Sequence, residues 1–438
     1  MDFVTQFENT LEQTILQNRI AEARQLVDAF PGTHQPYTLR IYTLINRLRR
    51  IERSDRYPNF SNGCRIILFQ TGNFILDYIL QQFADFFRKQ NNILFLFNPA
   101  DYEKSTQALF AFTEGGIDAA FFFNNVGLHQ TLKDGRNLWE TLEIPCYDFL
   151  VDHPMYYADS LDDAPHHTTL LCADRTHTDY VRRFYPSVKQ AFFFPTGGCS
   201  PINNPVPQKD RTINVLFIGS YKYHSDYIPD TLGESIMAYM QTHKDKTFEQ
   251  AVELCSNLQL SDDPLSEKQL KLLIEQHRFL ETNVTALYRK KIIASLLDAD
   301  ITIHVYGQGW DQSGLSEHPC FKLHAPVSFS EGLSLMANAK ILLNHMAWFK
   351  DGSSERIFNA MAHGAICFTD SSLYLNNILK NDINCCTYQL DNILIADKIK
   401  ALLADPENSS VIAQEGMKTA ATHTWQQHLQ TYLFFEDA

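Results

Sequence analysis

The stretch "KDGSSERIFNAMAHGAICFTDSS", residues 350–372, reads as a loop, a helix and a strand in one short run. Residues 351–354 form a Gly/Ser loop, 355–363 a helix with an apolar face, Gly364 a left-handed cap, and 365–369 a buried strand. The start of such a helix offers backbone N–H groups without intrahelical partners and a positive dipole end. Ser353 and Ser354 add hydroxyl donors there, and the set suits a phosphate or diphosphate. The same serines serve equally well as plain helix caps. Glu355 and Asn359 stand one turn apart on one helix face, placed to hold the vicinal hydroxyls of a ribose beside an anion site.

Outward from this stretch, short apolar runs recur between helical segments. "CRIILFQTG", "NILFLFNP", "DAAFFFNN", "IPCYDFLVDHP", "TTLLCAD" and "QAFFFPTGG" form one series. "INVLFIGSY", "ITIHVYGQGW", "KILLNHM", "AICFTD" and "NCCTYQL" form a second. Continuous apolar runs alternating with helices predict parallel sheets covered on both faces. The expected fold class is therefore α/β, with two Rossmann-like doubly wound domains facing each other across a cleft. Residues 1–58 carry apolar positions at helical spacing, broken by "FPGTHQP", and predict an N-terminal helical hairpin. The N-terminal sheet domain is expected over 59–203 and the C-terminal one over 204–425, with a helical insert at about 231–295 and a tail at 426–438. "PINNPVPQKDR", residues 201–211, supplies the linker.

Composition sets outer bounds. A chain of 438 residues exceeds one ordinary hydrophobic core. A formal charge of −14 with dispersed Lys and Arg argues against nucleic acid or an anionic membrane as partner. The nine cysteines contain no CxxC pair, which points away from a disulfide framework or zinc site. The acidic, amphipathic N-terminus is unlike a signal peptide, and no apolar run reaches transmembrane length. A cytoplasmic protein is expected.

Open α/β sheets bind ligands beyond the carboxyl ends of their strands. In the second series those ends carry Gly219 and Ser220, where backbone can approach a ligand closely, and then Tyr306 and Gly307. In the first series "VDHP" places Asp152 and His153 side by side after an apolar strand, with Pro154 ending the ladder.

"SSERIFNAMAHGAICFTD", preceded by "SFSEGLSLMANAKILLNHM", resembles the C-terminal half of GT-B glycosyltransferases, in particular the spore-maturation-protein (CgeB-like) group. Arg356, Phe358, Ala362 and Gly364 match that group's Arg-x-Phe-Glu-x-x-Ala-x-Gly pattern. Asn359 departs from it, standing where the group has its ribose-binding glutamate, so Glu355 or the Asn359 amide would take that role. "FLVDHPMYY" and "LLCADRTHTDYVRRFYP" resemble the N-terminal half, and the likeness covers roughly residues 64–430.

The resemblance implies transfer of a hexose-type sugar from a nucleotide diphosphate donor to an acceptor hydroxyl on a glycan or on a protein, such as the bacterial surface protein flagellin. It implies no cofactor and no obligatory metal. Lys222 and Arg356 would meet the phosphates, while Lys222 reads equally as a solvated surface group. His324, in the segment that contacts the base in related enzymes, is a weaker candidate. An inverting enzyme needs a general base, for which Asp152 and His153 stand ready; the alternative is that Asp152 caps the next helix. His166 and His167 rank below them. Two other readings remain open: a nucleotide-sugar epimerase of the same architecture, and a catalytically weak protein-binding module.

Overall fold

The computed structural model describes residues 2–53, 60, 62–259, 265–346, 348–390 and 394–433. The expected boundary at 58/59 and the last residues of the tail, 434–438, lie outside them. The chain divides into two compact units. The first comprises residues 1–172, 181–192 and 432–438, and the second 173–180 and 193–431.

The first unit holds a six-stranded sheet in the order β2-β1-β3-β4-β5-β6, with β1 (Arg65–Phe69), β2 (Ile93–Phe97), β3 (Ala119–Phe123), β4 (Cys146–Leu150), β5 (Thr168–Cys172) and β6 (Gln190–Phe193). The pairs β1–β2, β1–β3, β3–β4 and β4–β5 are all parallel. Burial on both faces explains the runs of Phe, Ile and Leu: every residue of β3, β4 and β5 is buried, as the helical covering of a parallel sheet requires. Connection order reverses between β1 and β3.

The first arm of the expected N-terminal hairpin is itself two helices, Phe3–Leu16 and Ile20–Ala29, followed by Leu39–Arg53. The break falls at Asn18, which adopts a left-handed backbone (φ 55°) that a side-chain amide tolerates well. Leu11, Ile15, Val27, Phe30, Ile41, Leu44 and Leu48 form a separate small core among these helices. Polar contacts bind them to the sheet domain. The Asn46 amide donates to the Leu142 carbonyl (2.9 Å) and accepts from the Ile117 N–H (2.9 Å). Arg49 makes a two-point contact with Asp118 at 2.9 and 2.7 Å, and Arg53 lies 3.6 Å from the same carboxylate.

The second unit holds another six-stranded sheet, in the order β12-β11-β10-β7-β8-β9: β7 (Ile213–Ile218), β8 (Ile303–Tyr306), β9 (Phe321–His324), β10 (Ala339–Leu343), β11 (Ile366–Thr369) and β12 (Cys386–Thr387). All its pairs are parallel. Three strands, β10, β11 and β12, run to one side of β7 and two, β8 and β9, to the other, which is a doubly wound Rossmann-type order with its switch point between β7 and β10. Strand alternation assigns the two faces. Val215, Phe217, Ile341, Leu343, Ile366 and Phe368 pack with Ile292, Ile293 and Leu296 of helix Phe279–Leu297. Leu216, Leu342 and Cys367 pack on the opposite face with Met336, Ile357 and Phe358.

Two differences from the expected layout concern this sheet. The edge strand β9 has a half-exposed pattern that an apolar-run reading does not register. The helical segment after β7 contains Thr231–Thr242, Phe248–Gln259, Glu267–His277 and Phe279–Leu297. Its last helix reaches beyond the expected insert and forms part of the β7–β8 crossover, with its C-terminal half in the sheet core.

Asp118→Ala would strand the Arg49 guanidinium, which is largely buried. Removing one partner of a buried pair costs about 3–5 kcal/mol. Denaturant unfolding should show that loss, and a loss below about 1 kcal/mol would show that the pair does not anchor the helices.

Candidate functional site

The switch point of the second sheet is built by register. The ladders, continued past their carboxyl ends by one residue for β7–β8, two for β10–β11 and three for β7–β10, set Gly307, Gly219, His345 and Asp370 level across β8, β7, β10 and β11. At the β7 and β8 ends the two loops are joined by backbone bonds, Gly219 N–H to the Tyr306 carbonyl (2.9 Å) and Tyr221 N–H to the Gln308 carbonyl (2.8 Å). A side chain at Gly307 would stand 2.2 Å from the Gly219 oxygen, so this approach needs glycine. The Trp310 indole N–H also donates to the Gly219 carbonyl (2.7 Å), and the Ser220 hydroxyl accepts the Gln308 N–H (3.2 Å).

Two guanidinium groups converge on this turn. Arg356 Nη1 donates to the Ile218 carbonyl (2.8 Å), and Arg289 Nη1, from helix Phe279–Leu297, donates to the Ser220 carbonyl (2.7 Å). Each Nε is buried without a hydrogen-bond partner. No carboxylate pairs with either arginine among the described residues. Burial, and then the like charge of Arg356, pulls Arg289 down to about 9, which leaves it charged at neutral pH. Two neighbouring cations held by carbonyls, each with an unfilled Nε donor, have the chemistry that suits an anion.

The helix Glu355–Ala362 starts beside them. Asp174, fully buried, fixes the preceding loop by accepting the N–H groups of Lys350 and Asp351, both at 2.8 Å. Ser354 occupies the N-cap in extended conformation, yet no side chain caps the helix. The plain capping role weighed for the serines is therefore absent. Ser353 is turned inward, with its hydroxyl 3.1 Å from the Thr196 carbonyl and 3.0 Å from the Thr196 hydroxyl. Glu355 is half-buried. Asn359 lies in the core, its carbonyl oxygen accepting the Cys199 N–H (2.8 Å). Its Nδ2 is buried without a hydrogen-bond partner.

Of the other candidates from sequence, Tyr306 and His324 stack face to face, with ring centroids 4.3 Å apart, and His324 Nε2 lies 3.0 Å from His304 Nδ1. Lys222 is exposed, three residues beyond Gly219. The structure thus brings Gly219, Ser220, Tyr306, Gly307 and Arg356 together, with His324 joined through Tyr306.

Asp152 and His153 belong to the first unit. His153 is buried and caps the turn after β4, with Nδ1 accepting the Met155 N–H (3.1 Å). Asp152 is exposed and makes no cap; its Oδ2 accepts from Asn124 Nδ2 (3.0 Å) and from the Tyr157 hydroxyl (3.1 Å). Asn124 also accepts the Val151 N–H (2.9 Å). Both Asn124 and Asn125 are left-handed (φ 51° and 62°), and the Asn125 N–H meets both oxygens of Asp148, at 3.1 and 3.2 Å. Burial in the middle of β4 pushes the Asp148 carboxyl up to about 7.

Sequence reasoning missed Arg289, His345, Asp370, Asn124 and Asp148. Arg289 sits in the run "YRKKII", inside a segment read as an insert. His345 and Asp370 directly follow apolar strands, the same signal that picked out Asp152, and only the register makes them a pair.

Residues 289–433 match the family model described as glycosyl transferase-like, about a third of the chain, beginning at Arg289. No curated protein matches the sequence. Among solved structures, sucrose-phosphate synthase from Thermosynechococcus elongatus aligns at 11% identity and a TM-score of 0.42, over 84% of this chain and 97% of that one. Anabaena HepE in complex with UDP and glucose aligns at 9% and 0.42, over 84% and 97%. A glycosyltransferase from Rickettsia africae aligns at 8% and 0.46, over 84% and 96%. Among the described residues, no group of three or more His, Cys, Asp or Glu side chains could hold a metal ion, and no helix is long and apolar enough to cross a membrane.

The raised Asp148 carboxyl carries a stability consequence. Between 3.8, its ordinary value, and about 7 the folded chain binds more protons than the unfolded one, so its contribution is full below that window and is lost as pH rises through it. Asp148→Asn keeps an acceptor for the Asn125 N–H and should stabilise the protein at pH 8 by roughly 2–4 kcal/mol. The gain should vanish below pH 4. Equal stability of the two proteins at pH 8 in denaturant titrations would refute the assignment.

Proposed function

We propose that the protein is a glycosyltransferase, taking a sugar from a nucleotide diphosphate donor bound in the second unit and passing it to an acceptor hydroxyl. The observation that carries the reading is the pair Arg289 and Arg356, two cations without carboxylate partners, aimed at a glycine turn on the switch point of a Rossmann-type sheet. The glycosyl transferase-like match over this region supports the same chemistry.

In this reading the diphosphate lies against the two guanidinium groups and the uncapped start of helix Glu355–Ala362, whose N–H groups and dipole favour anions. These cations supply the charge neutralisation, so the reaction needs no metal or organic cofactor. Ser354 and the backbone at Gly219 and Ser220 line the same site. Glu355, in place of Asn359, holds the ribose hydroxyls, and the Tyr306–His324 stack offers a flat face to the base. Ser353 supports the loop through Thr196, and Lys222 stays in solvent.

Asp152 acts as general base on the acceptor hydroxyl, in a single displacement that inverts the anomeric centre. Asn124 and Tyr157 hold its Oδ2, so Oδ1 is the oxygen that receives the proton, and His153 fixes the turn that carries it. The acceptor is a protein or glycan hydroxyl, in keeping with the CgeB-like resemblance, and the enzyme is placed in the cytoplasm.

Incubation with a panel of nucleotide sugars, following nucleoside diphosphate release with and without candidate acceptors, tests the reading. Sugar epimerisation without an acceptor, or no turnover of any donor, would overturn it. In calorimetry with the nucleoside diphosphate of the accepted donor, Arg356→Ala and Arg289→Ala should each weaken binding by about 1.5–3 kcal/mol, the worth of a hydrogen bond to a charged group. Unchanged affinity in folded variants would remove the arginines from the site.

Asp152→Asn preserves shape and removes basicity. It should lower kcat by about 10² to 10⁴-fold, with donor affinity little changed and an inverted product read by NMR. A rise confined to acceptor KM would make Asp152 a binding group instead.

A further inference from the structure

His345 and Asp370 form a buried pair at the switch point. His345 Nδ1 lies 3.0 Å from Asp370 Oδ2, and Asp370 Oδ1 accepts the Met346 N–H at 2.7 Å. A carboxylate in this position accepts, so Nδ1 carries a proton and Nε2 is the nitrogen left to gain or lose one. His345 is 1% exposed, and its Nε2 has no hydrogen-bond partner. A buried imidazole nitrogen without a partner is costly unless a ligand completes it.

Strand alternation gives the direction of the side chain. Ile341 and Leu343 face helix Phe279–Leu297, and His345 follows them on the same side, its ring 6.0 Å from that of Tyr288. Arg289, the next residue on that helix, reaches the Ser220 carbonyl, and Arg356 Nη1 lies 3.0 Å from where a Gly219 side chain would be. The β7–β10 register, continued three residues past Leu342 and Leu216, brings His345 level with Gly219. Three buried nitrogens without partners, Arg289 Nε, Arg356 Nε and His345 Nε2, therefore gather at the carboxyl ends of the switch-point strands, where Arg289 is close enough to feel the charges of both Arg356 and Asp370.

We propose that His345 is a phosphate-binding residue of the donor site: it takes up a proton at Nε2 when the diphosphate enters and donates that hydrogen to a phosphate oxygen, with Asp370 as its positioning residue. The inference rests on the donor reading above and adds a proton to it. Arg289 and Lys350 act on Asp370 from the positive side, with Glu281 near both and Arg356 next to Arg289; Tyr388 and Cys367 are held protonated by burial. A diphosphate brings negative charge to the Nε2 side of the ring, and Asp370 then stabilises the imidazolium through the Nδ1 bond. No bond is broken other than that to the incoming proton, which comes from solvent and leaves with the product.

The test is calorimetric titration of the full-length protein with UDP, GDP, ADP and inorganic pyrophosphate at pH 8, in buffers of different ionisation heat. The ligand that binds most tightly should bring an uptake approaching one proton, and its affinity should fall about tenfold per pH unit above the point where His345 no longer holds that proton. His345→Gln, which retains an amide donor, should abolish the uptake and flatten the pH dependence between pH 7 and 9. Asp370→Asn should reduce both. The ring-nitrogen NMR shifts of His345 in the wild-type protein, with and without pyrophosphate, read the same event without any variant. Binding with no proton uptake beyond that of His345→Gln, or unmoved His345 shifts on saturation, would overturn the proposal while leaving the donor site standing. Failure of every diphosphate to bind would sink the donor reading, and this inference with it.

Discussion

The second unit depends on how two buried guanidinium groups are satisfied. Arg289 and Arg356 are anchored by the carbonyls of Ser220 and Ile218, not by carboxylates. Carbonyls take up single donors and leave the charge uncancelled. The consequence is uncancelled positive charge beside the β7 turn, in a chain whose formal charge is −14. Cations partly withdrawn from water in this way call for an anion. The adjoining features fit that requirement: glycines at 219 and 307 leave room, Asp174 fixes the loop before helix Glu355–Ala362, and that helix begins without a side-chain cap.

Much of the architecture was legible in the sequence because a buried parallel strand has a strong signature. All six strands of the first sheet, and all but β9 of the second, appear as continuous apolar runs. β9 escaped because an edge strand is covered less completely, and its "FKLH" alternates with charge. The first N-terminal helix pair was read as one arm because Asn18 breaks it by conformation rather than by Pro or Gly.

The site was less legible than the fold, for a physical reason. Loop motifs mark where a ligand can approach, and they single out Gly219, Ser220, Gly307 and Arg356, which the structure sets side by side. Convergence is set by register and by helices distant in sequence. Arg289 is 67 residues from Arg356 and reaches the same turn only because helix Phe279–Leu297 covers that face of the sheet. Ser353 and Asn359 have the right residue types in the right stretch, yet both are turned inward, onto Thr196 and the Cys199 N–H. Nothing in a one-dimensional pattern tells an inward serine from an outward one.

The first unit holds its exposed carboxylate on an unusual turn. Consecutive left-handed Asn124 and Asn125 adopt a conformation that asparagine tolerates better than other non-glycine residues. The turn persists because it is over-determined: Asn124 N–H meets the Phe149 carbonyl at 3.0 Å, and Asn125 N–H meets Asp148. What this arrangement yields is the direction of one amide. Asn124 spans from the Val151 N–H to Asp152, so Asp152 is held by its neighbours while it remains exposed. A helix cap would have consumed that carboxylate, and His153 takes the capping position instead. The paired residues of "VDHP" therefore divide the work: the buried histidine makes the turn, and the aspartate keeps an exposed carboxylate whose position its neighbours fix.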